Sequence, residues 1–480
     1  MDIMENPTLT SDLSNNKNIL QQRLPIKKSF DLIGRELLIG EREAYMIFID
    51  GFAKDDIMLK IFELLQPLES KDLEQTSITT LIKQNIGYIE VESSQDIIQI
   101  ESMVLAGAIA LIIDGFDKGI IIDARQYPVR SPQEPDLEKV TRGSRDGLVE
   151  TVIFNTALIR RRLRDPNLIF EMKSVGKRSK SDVVIAYIKD LVDENLLKEV
   201  KDKVDNIDTG ALVMAEKTLE ELLIKKHWYN PLPQTKFSER PDVVAAHLME
   251  GHIAIIVDTS PSVMILPVTL FYFTQHAEDY YQNITVGTYI RWIRFIGMFS
   301  ALLLPPLWLM LVNSKEYLPD FLQFIGPKES STLPLVAQFV LLEFGLDILR
   351  ISSIHTPSAL TTSLGIIGGL ILSELAITVG IFVPETVLYM ALAGIGTFSS
   401  PSFEFAMALR IFRLFILIMT GAFYIFGFFG SLIIIFILTY TTSSFKHARR
   451  YTWPLIPFEW KPLSHILFRK PIPELKNKKK

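Results

Sequence analysis

Hydrophobic residues are spaced very differently in the two halves of the chain. Residues 1–250 alternate short apolar runs with charged segments, whereas residues 286–442 are dominated by long apolar runs. Short runs bounded by turn residues are typical of the strands and helices of a packed domain. Apolar runs of about 20 residues are typical of helices that cross a bilayer, whose hydrocarbon core is ~30 Å thick. The pattern predicts an α/β cytosolic region followed by an α-helical polytopic membrane domain.

The cytosolic region is predicted to contain two similar α/β subdomains, residues 30–140 and 141–267. Apolar runs predict strands at 44–49, 86–91, 108–113, 119–122, 168–172, 183–188 and 253–257, and helices at 54–65, 95–105, 194–204, 216–225 and 241–249. Gly107–Asp114 and Gly251–Asp258 match at a constant offset of 144, with five of eight residues identical. The match favours a duplication over two unrelated buried strands of similar Ile/Val content.

The two ends of the chain are polar. Residues 1–29 have no hydrophobic periodicity, which predicts a disordered tail. The start has no basic segment followed by an apolar one, so we expect no cleavable signal peptide and a cytosolic first half. Residues 446–480 hold ten Lys and Arg against two Glu, a net +8, which predicts a basic cytoplasmic tail.

The membrane domain is predicted to cover residues 268–445 with four to six membrane segments. Its apolar runs are 295–312, 333–351, 361–381, 387–398 and 412–440. Arg291, Trp292 and Arg294 precede the first run, as expected for interfacial anchors, and with the basic tail they predict that both termini are cytoplasmic. The last run fits either one long tilted helix or two short ones.

The run Thr361–Ile381 carries an ionisable group, Glu374, near its middle. Such a residue usually faces a bundle interior or a water path. At 100° per residue one stripe of this helix is a candidate pore or ion path, formed by Ser363, Ile367, Leu370, Glu374 and Thr378. Small residues elsewhere on the helix allow close helix packing, namely Gly365, Gly368 and Gly369. The alternative is that Arg410 or Arg413 neutralises Glu374 within one subunit.

A second set of charges lies in the neighbouring apolar runs. Glu343, Asp347 and Arg350 share one helical face at spacings of four and three residues. With Arg410 and Arg413 they form a candidate intramembrane charge network. The segment that carries them fits an interfacial helix, a re-entrant segment or a span that lines water.

The sequence shows no signature of catalysis. It has no cysteine, which excludes disulfides and thiol chemistry, and no Gly-rich phosphate loop or hydrolase motif. Its seven His residues show no metal-binding spacing, and Asp50, Asp114 and Asp258 fit turn positions. We therefore expect neither an enzyme nor a cofactor or metal site, and no nucleic-acid partner. The basic cluster Arg160–Arg164 fits contact with phosphate groups or with an acidic partner surface, a solvated helix face, or salt bridges between the subdomains.

Several short motifs together resemble the A subunits of GerA-type spore germinant receptors. They are Arg142–Gly147, Asn155–Arg162, Glu239–Asp242, Gly251–Pro261, Glu278–Tyr281 and the Arg291/Arg294 pair. The resemblance covers roughly residues 30–460. It implies a two-part cytosolic domain joined to a membrane domain in the inner membrane of a bacterial endospore. It also implies homo-oligomers, with a pentamer as the form the family suggests, that conduct monovalent cations during germination beside other germination membrane proteins.

One stretch departs from the nutrient-receptor pattern. Those receptors usually follow Leu349-Arg350 with an acidic residue and a second Arg before Pro, whereas this chain reads Ile351-Ser-Ser-Ile-His-Thr-Pro357. With Trp453–Phe458 and Phe468–Pro473, the departure resembles a paralogous branch encoded with the dipicolinic acid channel. We therefore expect an accessory or amplifying channel subunit rather than a direct nutrient sensor. The alternatives are a non-conducting scaffold that clusters germinant receptors or the dipicolinic acid channel, a nutrient-sensing subunit, and a transporter.

Overall fold

Two five-stranded antiparallel sheets with the same strand order form the first part of the computed structural model. The structure describes residues 7–69, 71, 73, 76–125, 138–317, 319–355, 377–443 and 445–471. These residues fall into two units. The first unit is drawn from Met1–Lys225, Thr235–Pro267 and Phe445–His447, and the second from Lys226–Gln234, Val268–Ser444 and Ala448–Lys480.

The first sheet has the strand order β1-β2-β4-β5-β3. Its strands are β1 (Leu32–Ile39), β2 (Arg42–Ile49), β3 (Val91–Ser94), β4 (Ile109–Ile113) and β5 (Gly119–Ile122). Its helices are α1 (Leu13–Arg23), α2 (Asp55–Leu65), α3 (Ile78–Asn85) and α4 (Ile97–Leu105). Alternate strand residues point to opposite faces, so Ala110 and Ile112 pack in one core while Leu111 and Ile113 pack in another. The sheet is therefore buried on both faces.

The second sheet repeats this order as β6-β7-β9-β10-β8. Its strands are β6 (Leu168–Val175), β7 (Ser181–Ile188), β8 (Lys236–Ser238), β9 (Ile253–Val257) and β10 (Val263–Leu266). Its helices are α5 (Val152–Arg162), α6 (Glu194–Asp205), α7 (Ala215–Leu223) and α8 (Pro241–Met249). The prediction of two similar α/β subdomains is confirmed.

The residues that match at an offset of 144 have the same structural roles in both subdomains. Gly107 and Gly251 follow α4 and α8 with φ of 102° and 86°, a conformation that glycine adopts readily. Asp114 and Asp258 end β4 and β9. Their Oδ1 atoms accept hydrogen bonds from the backbone N–H of Leu13 at 3.1 Å and Val152 at 3.0 Å, the first residues of α1 and α5. Each aspartate thus holds a helix start against its own sheet.

The prediction of a disordered tail over residues 1–29 is wrong for its described part. Residues 13–23 form α1, and Leu9, Leu13, Leu20 and Leu24 are buried in the core of the first subdomain. The error has a physical cause. Only a narrow stripe of α1 is apolar, so its average composition is that of a polar tail although the stripe covers the sheet.

Other boundaries also differ from the prediction. Residues 86–90 are not a strand, because β3 begins at Val91. Strand β1, helices α3 and α5, and the strands β8 and β10 had no counterpart in the prediction. Most of these elements are short or mix polar and apolar residues, so their burial depends on neighbours that are distant in sequence.

The second unit is helical. Its α-helices are α9 (Glu278–Tyr281), α10 (Ile284–Asn313), α11 (Leu335–His355), α12 (Pro384–Phe398), α13 (Phe403–Thr441) and α14 (Trp460–Leu467). Short 3₁₀ turns occur at Leu270–Phe273, Lys315–Tyr317 and Asp320–Leu322. Within the described residues, α10 and α13 are long and apolar enough to cross a membrane.

Helix α13 folds back on itself. Tyr424 has φ 56° and ψ −131°, which interrupts the helix near its middle. Leu438, from the second half, packs against the cluster that contains Phe405 and Leu409 from the first. In a straight helix Phe405 and Leu438 would be about 50 Å apart. The structure therefore favours two short helices over one long tilted helix for this run.

Candidate functional site

A buried carboxylate and a buried guanidinium lie at the centre of the helical unit. Glu343 of α11 accepts two parallel hydrogen bonds from Arg413 of α13, Nε to Oε2 at 2.8 Å and Nη2 to Oε1 at 2.7 Å. Both residues are almost fully buried, with 2% of Glu343 and none of Arg413 exposed. Two-pronged contacts of this kind are the strongest form of ion pair between these side chains.

Arg413 also reaches the other two long helices of the unit. Its Nη1 donates to the backbone carbonyl of Ala301 in α10 and to Thr397 Oγ1 in α12, the latter at 3.4 Å. The carbonyl of Ala301 would normally accept from residue 305, but Pro305 has no N–H. Arg413 thus satisfies a carbonyl that the proline leaves without an intrahelical donor, and it joins α10, α11, α12 and α13.

Two further residues of the predicted network, Arg410 and Asp347, join this pair. Arg410 Nε donates to Glu343 Oε1 at 3.2 Å, and the Arg410 guanidinium also pairs with Asp347. The guanidinium carbon of Arg350 lies 4.1 Å from the centre of the Phe403 ring. The structure therefore brings Glu343, Asp347, Arg410 and Arg413 into one cluster. Two carboxylates balance two guanidiniums there, and Arg350 brings the sum of the five charges to +1.

The predicted pore stripe falls largely outside the described residues. This applies to Ser363, Ile367, Leu370 and Glu374, and to the packing glycines Gly365, Gly368 and Gly369. Thr378 is described and is exposed, shortly before α12. Their roles therefore remain predictions.

A second buried charge cluster was missed in the sequence. Asp279 is fully buried and accepts hydrogen bonds from Arg294 at 2.8 and 2.9 Å and from Arg291 at 3.2 Å. Arg291 Nη1 also donates to the carbonyls of His465 and Ile466 in the last turn of α14, at 2.8 and 2.9 Å. The prediction that both arginines act as interfacial anchors is wrong, because they are buried and paired. The signal available was the pair of arginines three residues apart, on one helical face.

Arg160, the first residue of the basic cluster Arg160–Arg164, forms a salt bridge between the two α/β subdomains. It is fully buried and pairs with Asp31 at 2.8 and 3.1 Å, and its Nη2 reaches the carbonyl of Leu168 at 3.0 Å. Asp31 precedes β1 of the first subdomain, whereas Arg160 lies on α5 of the second. The expected salt bridge between the subdomains is therefore present.

A duplicated α/β domain joined to apolar helices with internally paired charges defines a class of membrane-associated protein. Within that class, the chain matches the family model described as Bacillus/Clostridium GerA spore germination protein over residues 18–480. The chain therefore belongs to the GerA family and is a spore germination protein, as the motifs indicated.

Relatives of the chain include a stage V sporulation protein and spore germination proteins. Stage V sporulation protein AF of Bacillus subtilis (strain 168) is 40% identical over 456 residues, which cover 95% of this chain and 92% of that protein. Spore germination protein KA of the same organism is 31% identical over 478 residues, 97% of this chain and 86% of that protein. The crystal structure of the N-terminal domain of the A subunit of the Bacillus megaterium spore germinant receptor GerK3 is 24% identical. It covers 54% of this chain and 96% of that chain, with a TM-score of 0.42.

Proposed function

We propose that the chain is a subunit of an oligomeric ion channel that contributes to monovalent cation release during spore germination. The observation that carries the proposal is the pairing of Arg410 and Arg413 with Glu343 and Asp347. Both arginines that were candidates to neutralise Glu374 already contact carboxylates of α11. Glu374 would have to share these arginines with Glu343 and Asp347. This favours a role for Glu374 in an ion path over pairing within one subunit.

A carboxyl in the middle of an apolar helix needs either a partner or water. If several copies of the chain surround an axis, a ring of Glu374 side chains attracts cations, and Ile367 and Leu370 on the same stripe supply an apolar constriction. Arg350 on α11 is a further described candidate for a partner of Glu374 within one subunit. The pore arrangement and the pairing of Glu374 with Arg350 make different predictions. If Glu374 lines a pore, its substitution slows cation flux whether or not Arg350 is present. If Glu374 only pairs with Arg350, its substitution has no further effect once Arg350 is removed.

We place the chain as an accessory or amplifying subunit in the spore inner membrane. Support comes from its higher identity to stage V sporulation protein AF, 40%, than to spore germination protein KA, 31%. The departure from the nutrient-receptor pattern at residues 351–357 points the same way.

The proposal is tested by reconstitution of the purified full chain in liposomes loaded with potassium. We expect cation efflux from wild-type protein, at least several-fold slower efflux from Glu374→Gln, and wild-type efflux from Glu404→Gln, an exposed glutamate near the start of α13. In an Arg350→Gln background, Glu374→Gln should again give slower cation efflux than Arg350→Gln alone. Stable oligomers without cation flux would contradict the channel and favour the scaffold alternative.

A further inference from the structure

Three side chains of types that can ligate a metal ion lie close together where α8 ends and β9 begins. The ligand atoms of His247, Glu250 and His252 all lie within 4.8 Å of one another. We propose that this cluster, outside the membrane helices and independent of the channel proposal, binds a divalent transition-metal ion of the zinc class.

The orientation of His252 supports a ligand role. Its Nδ1 lies 3.0 Å from the backbone carbonyl of His247, and a carbonyl oxygen can only accept. The proton of the neutral ring is therefore on Nδ1, which makes Nε2 the ring nitrogen that can ligate a metal. Histidine ligands in metal sites commonly donate their other N–H to a backbone carbonyl in this way.

The duplication shows that the fold itself does not require these side chains. At an offset of 144, the first subdomain has Met103, Ala106 and Ala108 in their place. The backbone turn is the same in both copies, because Ala108 N donates to Met103 O at 2.9 Å and His252 N donates to His247 O at 3.1 Å. The same turn forms in the first copy without any ligating group. Formation of the turn therefore does not explain the presence of two histidines and a glutamate in the second copy.

The donor set and its exposure indicate the type of ion. Two imidazoles and one carboxylate are a common zinc set, with the fourth position left for water. His252 is buried and fixed, His247 is half-buried and Glu250 is exposed, so an ion can enter from solvent. Bonds of ~2.0–2.1 Å place two ligand atoms at most about 4.2 Å apart, and the exposed side chain of Glu250 can adjust its position to meet that limit.

The positively charged side chain of Lys236 acts electrostatically on this site. Lys236 interacts electrostatically with Glu138 and Glu250. An ion on Glu250 competes with Lys236 for that carboxylate, and Glu138 remains as a counter-charge for the ammonium. Lys236 also interacts electrostatically with His247, so ion binding has to overcome repulsion from this ammonium.

Binding is tested on the full chain purified in detergent and stripped with a chelator. We expect one Zn²⁺ per chain by titration calorimetry, and Co²⁺ to give the absorption of a site with nitrogen and oxygen ligands. Binding should weaken at least about tenfold in His252→Gln and in Glu250→Gln. His227→Gln, a histidine of a different segment, should bind like wild type.

Two results would overturn the proposal. One is the absence of saturable Zn²⁺ binding by the wild-type chain. The other is equal affinity of wild type and Glu250→Gln, because Glu250 is exposed and its substitution leaves the fold intact. If His252→Gln fails to fold, the affinity of Glu250→Gln alone decides whether the proposal stands.

Discussion

Arg413 donates a hydrogen bond to the backbone carbonyl of Ala301, on the neighbouring helix. Pro305 leaves that carbonyl without its usual donor, so the side chain of one helix completes the backbone bonding of another. The same guanidinium holds Glu343 through two further bonds. Positions of the long helices in this unit are therefore coupled through one residue.

Removal of Arg413 should strongly destabilise the helical unit. Arg413→Gln takes the two-pronged partner from the buried Glu343, and breaking a buried pair from one side typically costs about 3–5 kcal/mol. Unfolding of the purified chain in detergent, followed by circular dichroism, measures the loss. Arg449→Gln is the matched control, because Arg449 is exposed and stacks on Trp453, a contact worth ~0.5–1 kcal/mol. Equal effects of the two substitutions would contradict this role of Arg413.

Pro305 and Arg413 should be energetically coupled. Pro305→Ala supplies the missing N–H, so the carbonyl of Ala301 no longer depends on Arg413. The cost of Arg413→Gln should therefore be smaller by about 1 kcal/mol in the Pro305→Ala background, the net worth of one hydrogen bond. A double-mutant cycle on unfolding free energies measures this difference. Additivity within about 0.5 kcal/mol would show that the two residues act independently.

Asp279 should control the docking of α14. Asp279→Asn leaves Arg291 and Arg294 without their buried counter-charge, and Arg291 holds the last turn of α14. We expect faster tryptic cleavage after Arg469, which closely follows α14 and bonds to Thr288 and Tyr280, and a loss of about 3–5 kcal/mol in the free energy of unfolding. Asp320→Asn, at an exposed aspartate, should show neither effect. Unchanged cleavage in Asp279→Asn would mean that α14 is held by other contacts.

The equivalent aspartates of the two sheets should contribute equally. Asp114→Ala and Asp258→Ala each remove an acceptor at a helix start, a change that typically costs ~1 kcal/mol. Hydrogen exchange should accelerate at Leu13 in the first variant and at Val152 in the second. Asp117→Ala, at a nearby exposed aspartate, should leave both amides unchanged. Faster exchange at Val152 in Asp114→Ala, or at Leu13 in Asp258→Ala, would contradict the pairing of each aspartate with the helix of its own subdomain.

Features that depend on local pattern could be predicted from the sequence, and features that depend on distant partners could not. The matches at Gly107 and Gly251 revealed the repeated turn because glycine is favoured where φ is positive. Helix α1 was not predicted because its few leucines stand among polar residues. Their burial depends on the sheet that they cover, which is distant in sequence.

The charged clusters follow the same rule. Glu343 could be recognised as an unusual residue in an apolar run, whereas its contact with Arg413, seventy residues away, required the structure. His247 and His252 show no metal spacing in the sequence, because it is the turn at Gly251 that brings their rings together.

The central claim is that Glu374 lines a cation path, and potassium release from germinating spores tests it most directly. Spores carrying Glu374→Gln should release potassium several-fold more slowly than wild-type spores, with equal amounts of the protein in the membrane. Spores carrying Glu404→Gln should match wild type. Equal release rates in all three strains would contradict the account.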